Sequence, residues 1–276
     1  MADVEVDHEP GATWIRLNRP ERKNAYDPAM CAAMVAALRE AARGQDTAVV
    51  ITGTGDSFCA GGYLGRLAEP DPAELRSMFF GSLELFDAIR TLPMPVIAAV
   101  NGVAAGGGNE LVVACDLAIA ARSATFGQTG VKIGSAPVLG GTNLLAVSIG
   151  EKRAKEVSFL CRRYDADRAC ELGWINEVVD DGDLHDAVGR TIAELARMSP
   201  RYLEIAKLSS NVWWNACREN FVSGLGMLVQ AIGSADMVEG ATAFMEKRKP
   251  RFPPRGTVPA GGPGGTGVTG TDQGAP

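Results

Sequence analysis

The sequence predicts an α/β protein: short buried strands alternating with helices, followed by an all-helical segment. Three observations predict it. Apolar runs ("ATWIRLN", "TAVVITGTG", "PVIAAVNG" and "DLAIAA") recur between residues 12 and 121, each followed by glycine or polar residues. Helical spacing fills the intervals, which is the pattern of a mixed α/β core. After about Ser199 the strand signal vanishes and only helical spacing is left.

Along the chain, "ATWIRLN" comes first and alternates as a half-buried strand. Asp27-Pro28 supplies an N-cap and a proline at the first helical position, and Met30, Met34, Leu38 and Ala41 recur at helical spacing until Gly44. "TAVVITGTG" reads as a buried strand entering a glycine turn. "GDSFCAGGYLGRL" (Gly55 to Leu67) and "NGVAAGGGNELVVACD" (Asn101 to Asp116) share one grammar: a buried strand, a turn of small residues, a helix start. Ser199-Pro200 pairs a cap with a helix start. "SPRYLEIAKLSSNVWWNACRENFVSGLGMLVQAI" and "SADMVEGATAFMEKRKP" read as helices, with Trp213 and Trp214 expected in a core or an interface. "RGTVPAGGPGGTGVTGTDQGAP" buries too little apolar surface to offset chain entropy and is expected to be a disordered tail. The implied organisation is a core over 1–198, a helical segment over 199–254 and a tail over 255–276. No sequence repeat is visible, although the strand–strand–helix rhythm leaves room for a structural one.

Composition narrows the function. The chain has 276 residues, 46% hydrophobic, enough for one large core. A net charge of −6, with no basic block beyond "EKRKPR", argues against a nucleic-acid groove. Six cysteines without a CxxC pair favour free thiols in a reducing compartment. The start "MADVEVDHEP" has no signal-peptide pattern, and Asn101, the glycines and Glu110 break the best apolar run. A soluble cytoplasmic protein, without membrane partners, is the expectation. Only two histidines occur, His8 and His185, both expected to be solvated. That excludes a multi-histidine metal site and argues against a Ser-His-Asp triad. No GxxxxGK[ST] run is present, and Gly106 to Gly108 complete no GxGxxG. Chemistry is left to carboxylates, backbone amides and hydroxyls.

The two glycine turns are where such chemistry can be built. Small residues let another molecule approach the main chain, and amides at a helix start are unpaired. Each turn alone is explained as a tight strand-to-helix connection. Aimed at one point, the pair gives two N–H donors to one oxygen, an oxyanion hole for charge developing on a carbonyl. Glu110 stands in the first turn of the following helix, where the helix dipole already favours an acid. Its apolar flanks imply a buried carboxylate with a raised pKa, suited to proton transfer.

"LNRPERKNAY", "FCAGGYL", "PVIAAVNGVAAGGGNEL", "CDLAIAARSATFGQTGVKIG" and "GGTNLLAVSIGEKRAKE" resemble successive signatures of the enoyl-CoA hydratase/isomerase (crotonase) superfamily. They occur in the family's order, from about residue 12 to about residue 180. "FMEKRKPRF" resembles the end of the branch holding 1,4-dihydroxy-2-naphthoyl-CoA synthase and 2-ketocyclohexanecarboxyl-CoA hydrolase. The resemblance implies a spiral of ββα units and a helical C-terminal trimerisation segment, hence a homotrimer or a dimer of trimers. It implies a coenzyme A thioester as substrate and no tightly bound cofactor. The oxyanion donors would be the amides of Gly62 and Gly107, and Glu110 matches one of two hydratase glutamates that hold and activate water. Ala25, Ala60, Gly61, Tyr63, Leu64, Val103 and Gly106 would border substrate and coenzyme. Lys23 and Lys247 match positions that meet the coenzyme's phosphates, Lys247 from a neighbouring subunit.

The pattern also breaks. The second hydratase glutamate falls at Gly130. The loop Gln128-Thr129-Gly130 resembles the naphthoate-synthase branch instead, where it binds bicarbonate as a substitute base. Ser135, a substrate-contacting serine of that branch, is kept, whereas its aspartate falls at Pro137, its tryptophan at Ser158 and its tyrosine near Ile232. "GSAPVLGGTNLL" resembles the hydratase form of the loop. Tyr63 stands where aspartate is common, and either reaches the acyl pocket or packs at the surface. The expected activity is an acyl-CoA lyase that adds or removes water, or moves a double bond. The alternatives are carbon–carbon chemistry on a β-keto or cyclic acyl-CoA, and a non-catalytic protein that binds acyl-CoA or a macromolecule.

Overall fold

In the computed structural model, which describes residues 2–63 and 71–254, the strands form two sheets. They are β1 (Val4–Glu9), β2 (Ala12–Leu17), β3 (Ala48–Gly53), β4 (Ser57–Cys59), β5 (Val96–Val100), β6 (Val103–Ala105), β7 (Leu117–Ala121), β8 (Thr125–Gly127), β9 (Arg163–Asp165) and β10 (Glu177–Val179). The larger sheet has the order β1-β2-β3-β5-β7-β10, parallel except for the β1–β2 hairpin. Its central strands are buried on both faces, which explains their unbroken Val/Ile/Ala runs. Successive side chains go to opposite sides. Ile15, Leu17, Val49 and Ile51 join the main core, while Ala12, Trp14, Val50, Ile97 and Ile119 join a second one.

The described helices are α1 (Pro28–Ala41), α2 (Pro72–Thr91), α3 (Gly107–Ala114), α4 (Leu145–Ile149), α5 (Glu151–Leu160), α6 (Ala166–Glu171), α7 (Leu184–Leu195), α8 (Pro200–Ser210), α9 (Val212–Gln230) and α10 (Ala235–Met245). The second core lies under α7, through Val188 and Ile192. The Asp27 carboxylate caps α1 by accepting from the Met30 amide at 3.0 Å, as its sequence position implies. Ser199 stands at the α8 cap position, but its side chain makes no capping bond.

The repeat that the sequence concealed is structural. β3–β4 leads towards α2, β5–β6 into α3, and β7–β8 into a single 3-10 turn at Gly130–Ile133. In each unit the first strand joins the large sheet and the second joins the small one, ordered β4-β6-β8-β9. This is the expected crotonase-like mixed α/β architecture.

The helical C-terminal segment is also present, with the long run divided at Asn211. α9 lies against α2, where Trp214 is buried and donates Nε1–H to Asp87. Trp213, by contrast, is exposed. α10 packs on the Gly130–Ile133 turn through Gly134 and Gly240, where any Cβ would strike backbone within 2.4 Å. α8 is stapled to the core by Lys207, whose buried ammonium donates to the carbonyls of Ile89 and Met94 and pairs with Asp116 at 2.7 Å. Tyr202, Ile205, Trp213, Met227 and Phe244 leave an apolar surface on these three helices. No single described helix is long and apolar enough to cross a membrane. Leu64 and the tail 255–276 lie outside the described residues.

Candidate active site

β4, β6 and β8 are parallel neighbours, so the loops that leave them emerge from the small sheet at one edge. Ligand sites in such sheets form beyond the carboxyl ends of the strands. Here the three loops supply Ala60 and Gly62, Gly106 and Gly107, and Gln128 to Gly130, and all of them line one cleft.

The two bends touch. Gly61 has φ +94, and a Cβ there would stand 2.7 Å from the Gly107 nitrogen. The Tyr26 amide donates to the Gly61 carbonyl, and the Tyr63 amide donates to the Tyr26 carbonyl, each at 2.9 Å. Gly62 lies between these two bonds, and its own N–H meets no partner among the described residues. In the second bend Gly106 adopts φ 55 and donates its N–H to the Gly127 carbonyl at 3.0 Å. Gly107 then opens α3, and its N–H is likewise without a partner among the described residues, as the first helical amides are. The two proposed donors thus sit on adjoining bends, both unbonded and both lining the cleft.

Glu110 is only 7% exposed and lines the same cleft. Its Oε1 accepts from the Leu139 amide at 2.8 Å and the Gly141 amide at 3.2 Å. Burial outweighs these two bonds and pushes its pKa up to about 7. Oε2 has no partner among the described residues. Behind it, the buried Ser158 hydroxyl donates to the Gly141 carbonyl at 3.1 Å and steadies the anchoring peptide.

Among the described residues, the wall at Gly130 has no carboxylate. A Cβ on Gly130 would meet the Ala136 backbone at 3.0 to 3.2 Å, and the Ser135 amide donates to the Gly130 carbonyl at 2.8 Å. The Ala136 main chain therefore crowds a side chain at 130 and would have to give by a few tenths of an ångström to admit one. Ser135 and Thr129 line the cleft, as does Gln128, which is 1% exposed with both amide atoms unpartnered among the described residues.

The remaining candidates scatter. The Lys23 carbonyl accepts from the Ala60 amide, so Lys23 and Ala25 back the first bend rather than line the cleft. Tyr63 lies under the Arg22 guanidinium, 4.5 Å from the ring centre, and does not line the cleft. Val103 faces a neighbouring pocket with Lys132 and Phe244. Lys247 lies just beyond α10 and is exposed. His8 and His185 are exposed outside the cleft, yet both have partners: His8 lies against Thr13 and Asp46, and His185 bonds Glu9 and stacks on Trp14. All six cysteines are free.

Several lining residues carry no mark in the sequence. Tyr26 and Ser82 border the bends, while Met78 and Phe79 of α2, and Leu225 and Leu228 of α9, close the apolar end. The motif "ERKNAY" contains Tyr26, but nothing local shows that its ring reaches a glycine at position 107.

The pattern defining the Enoyl-CoA hydratase/isomerase family matches residues 7–255. The chain belongs to this family. Solved members superpose along nearly their whole length. A carnitinyl-CoA hydratase from Mycobacterium avium is 32% identical, covering 91% of this chain and 98% of its own, with TM-score 0.80. An enoyl-CoA hydratase from Mycobacterium avium subsp. paratuberculosis K-10 is 28% identical, covering 88% and 99%, with TM-score 0.81. An enoyl-CoA hydratase from Bacillus anthracis is 31% identical, covering 91% and 99%, with TM-score 0.74. Membership of the crotonase superfamily accounts for the spiral of strand pairs and for the convergence of three loops on one cleft.

Proposed function

We propose that the protein is an acyl-CoA lyase of the enoyl-CoA hydratase/isomerase type. One arrangement carries this reading: a buried carboxylate with a pKa of about 7 shares a cleft with two unbonded amides on adjoining bends. The amides of Gly62 and Gly107 receive the thioester oxygen and stabilise it as it gains enolate charge. In hydration, Glu110 accepts a proton from water as the water oxygen bonds the β-carbon, and the double-bond electrons move to the thioester oxygen. Glu110 then returns that proton to the α-carbon. In double-bond migration the same carboxylate removes a proton at one carbon and delivers it at another. A single carboxylate suffices for either shuttle, which suits a site where the Ala136 backbone crowds the position beside Gly130.

Coenzyme A enters as part of the substrate, with Lys23 and a neighbouring subunit's Lys247 proposed for its phosphates. The exposed apolar surface of α8 to α10 supports a homotrimer or a dimer of trimers.

Glu110→Gln is expected to lower turnover roughly 10²–10⁴-fold on enoyl-CoA thioesters, with coenzyme A affinity kept. Near-full activity would overturn the role. Because the base must be ionised, kcat/KM for hydration is expected to rise with pH through about 7 in the wild type.

A second reading rests on Gln128, whose carboxamide beside Gly130 has no partner among the described residues and suits a bound anion. Bicarbonate held there would act as a substitute base in carbon–carbon chemistry on a β-keto or cyclic acyl-CoA. Bicarbonate-dependent turnover of a β-keto acyl-CoA would favour it. Tight acyl-CoA binding with no product from a panel of thioesters would favour a binding protein instead.

A further inference from the structure

Besides Glu110, Tyr26 is the titratable side chain that lines the cleft among the described residues. Its main chain belongs to the first bend, through its bonds with Gly61 and Tyr63. Its side chain crosses to the second. A Cβ built on Gly107 would come within 2.2 Å of the Tyr26 Oη and 3.0 Å of its Cζ. The phenol therefore occupies the face of Gly107 where a side chain would otherwise stand.

The surroundings fit a proton donor. The residue is 3% exposed and lines the cleft. Ser82 is within hydrogen-bond reach of the phenol; its own hydroxyl donates to the Met78 carbonyl at 2.8 Å, so towards Tyr26 it can act only as an acceptor, which a thioester oxygen would replace. Met78 and Phe79 make the rest of that wall apolar, so water competes poorly for the phenol. A tyrosine hydroxyl has one proton to give and no fixed direction for it.

We propose that the Tyr26 hydroxyl is a third hydrogen-bond donor to the thioester oxygen, beside the amides of Gly62 and Gly107. This rests on the lyase reading, in which that oxygen sits between the two bends. Burial, with Cys31, Cys59 and Glu110 nearby, holds the phenol's pKa well above its usual value. It therefore remains a donor across the working pH range and does not act as a base. In this role Tyr26 touches the reacting group, while its backbone bonds hold the first bend on either side of Gly62.

The test separates polarisation from packing. Cinnamoyl-CoA absorbs at longer wavelength as its carbonyl is polarised, so the absorption of the bound thioester reports the donors without requiring turnover. The wild type is expected to shift it to the red. Tyr26→Phe, which keeps the ring, is expected to bind cinnamoyl-CoA with similar affinity but a smaller shift. Its kcat on enoyl-CoA thioesters should fall about 10²-fold, the weight of one oxyanion donor. An equal shift in wild type and Tyr26→Phe would overturn the role of Tyr26 while leaving the two amides in place. Binding without any shift in the wild type would overturn the oxyanion reading itself. If Tyr26→Phe fails to fold, 3-fluorotyrosine placed at position 26 keeps the shape and strengthens the donor. A larger red shift supports the proposal, and an unchanged one overturns it.

Discussion

Two consecutive units of the spiral end on the cleft, and they end differently. β5–β6 runs into an α-helix that opens on Gly107 and carries Glu110 in its first turn. β7–β8 runs into one 3-10 turn at Gly130 that carries no carboxylate. Both start from neighbouring parallel strands of the small sheet, so the fold delivers them to the same edge. Beyond that edge their offerings diverge. In the first, tight backbone packing fixes the helix start, and the side chain projects into the cleft. In the second, the Ala136 backbone and α10 crowd the turn, and the polar side chains it presents are the uncharged Gln128, Thr129 and Ser135. The spiral sets position, whereas the few residues after each strand pair set chemistry.

The largest expected effect tests how rigidly the first of these ends is built. A Cβ on Gly108 would lie 1.9 Å from the Cys59 carbonyl oxygen and 2.6 Å from its carbon, atoms of the neighbouring bend. Gly108→Ala is expected to cost more than about 3 kcal/mol, beyond the usual range for overpacking, because backbone on both sides must move. Thermal unfolding measures it. A stable, active Gly108→Ala protein would show that the two bends are not in contact.

Next comes the charge. Glu110 has a folded pKa of about 7, against 4.5 for the free side chain. The native state therefore binds more protons than the unfolded state between these values, and stability falls as pH rises through that window. Glu110→Gln removes the cost while keeping an oxygen for the Leu139 and Gly141 amides. The variant is expected to exceed the wild type in stability at pH 8 by up to about 3 kcal/mol, with the gap closing below pH 4.5. Denaturant unfolding at several pH values reads the difference. A gap independent of pH would mean that the carboxylate is solvated in the folded protein.

The asymmetry between the two ends was only half legible in the sequence. The glycine triplet and Glu110 stand within five residues of each other, so local grammar exposes the first end. The absence of an acid at Gly130 is equally visible, but its reason is not: Ala136 and α10 reach the turn through tertiary contacts. The same holds for Tyr26, Leu225 and Leu228, which meet the cleft from distant positions. Long buried strands such as β3 and β5 declare themselves by composition. β4, β6 and β8, three residues each, are too short to show a period, although they are the strands that aim the loops.

Gly130→Glu asks whether the missing acid can be restored. The Ala136 backbone must yield by a few tenths of an ångström for any Cβ, and a carboxylate brings further desolvation. The expected outcome is a loss of about 1–3 kcal/mol without a gain in turnover. Faster hydration by this variant would show that the two ends are interchangeable after all.

The finest test joins the bends through the phenol. Gly107 does not require a positive φ, so alanine is acceptable to the backbone there, and the obstacle is the Tyr26 hydroxyl at 2.2 Å. Gly107→Ala is expected to destabilise the protein, and less so in a Tyr26→Phe background, where only ring carbon at 3.0 Å opposes the new methyl group. The relief is partial, so a coupling of about 1 kcal/mol between the two substitutions is expected from a double-mutant cycle on stability. Strict additivity would place the phenol away from Gly107 and would remove the contact on which its role as a third donor depends.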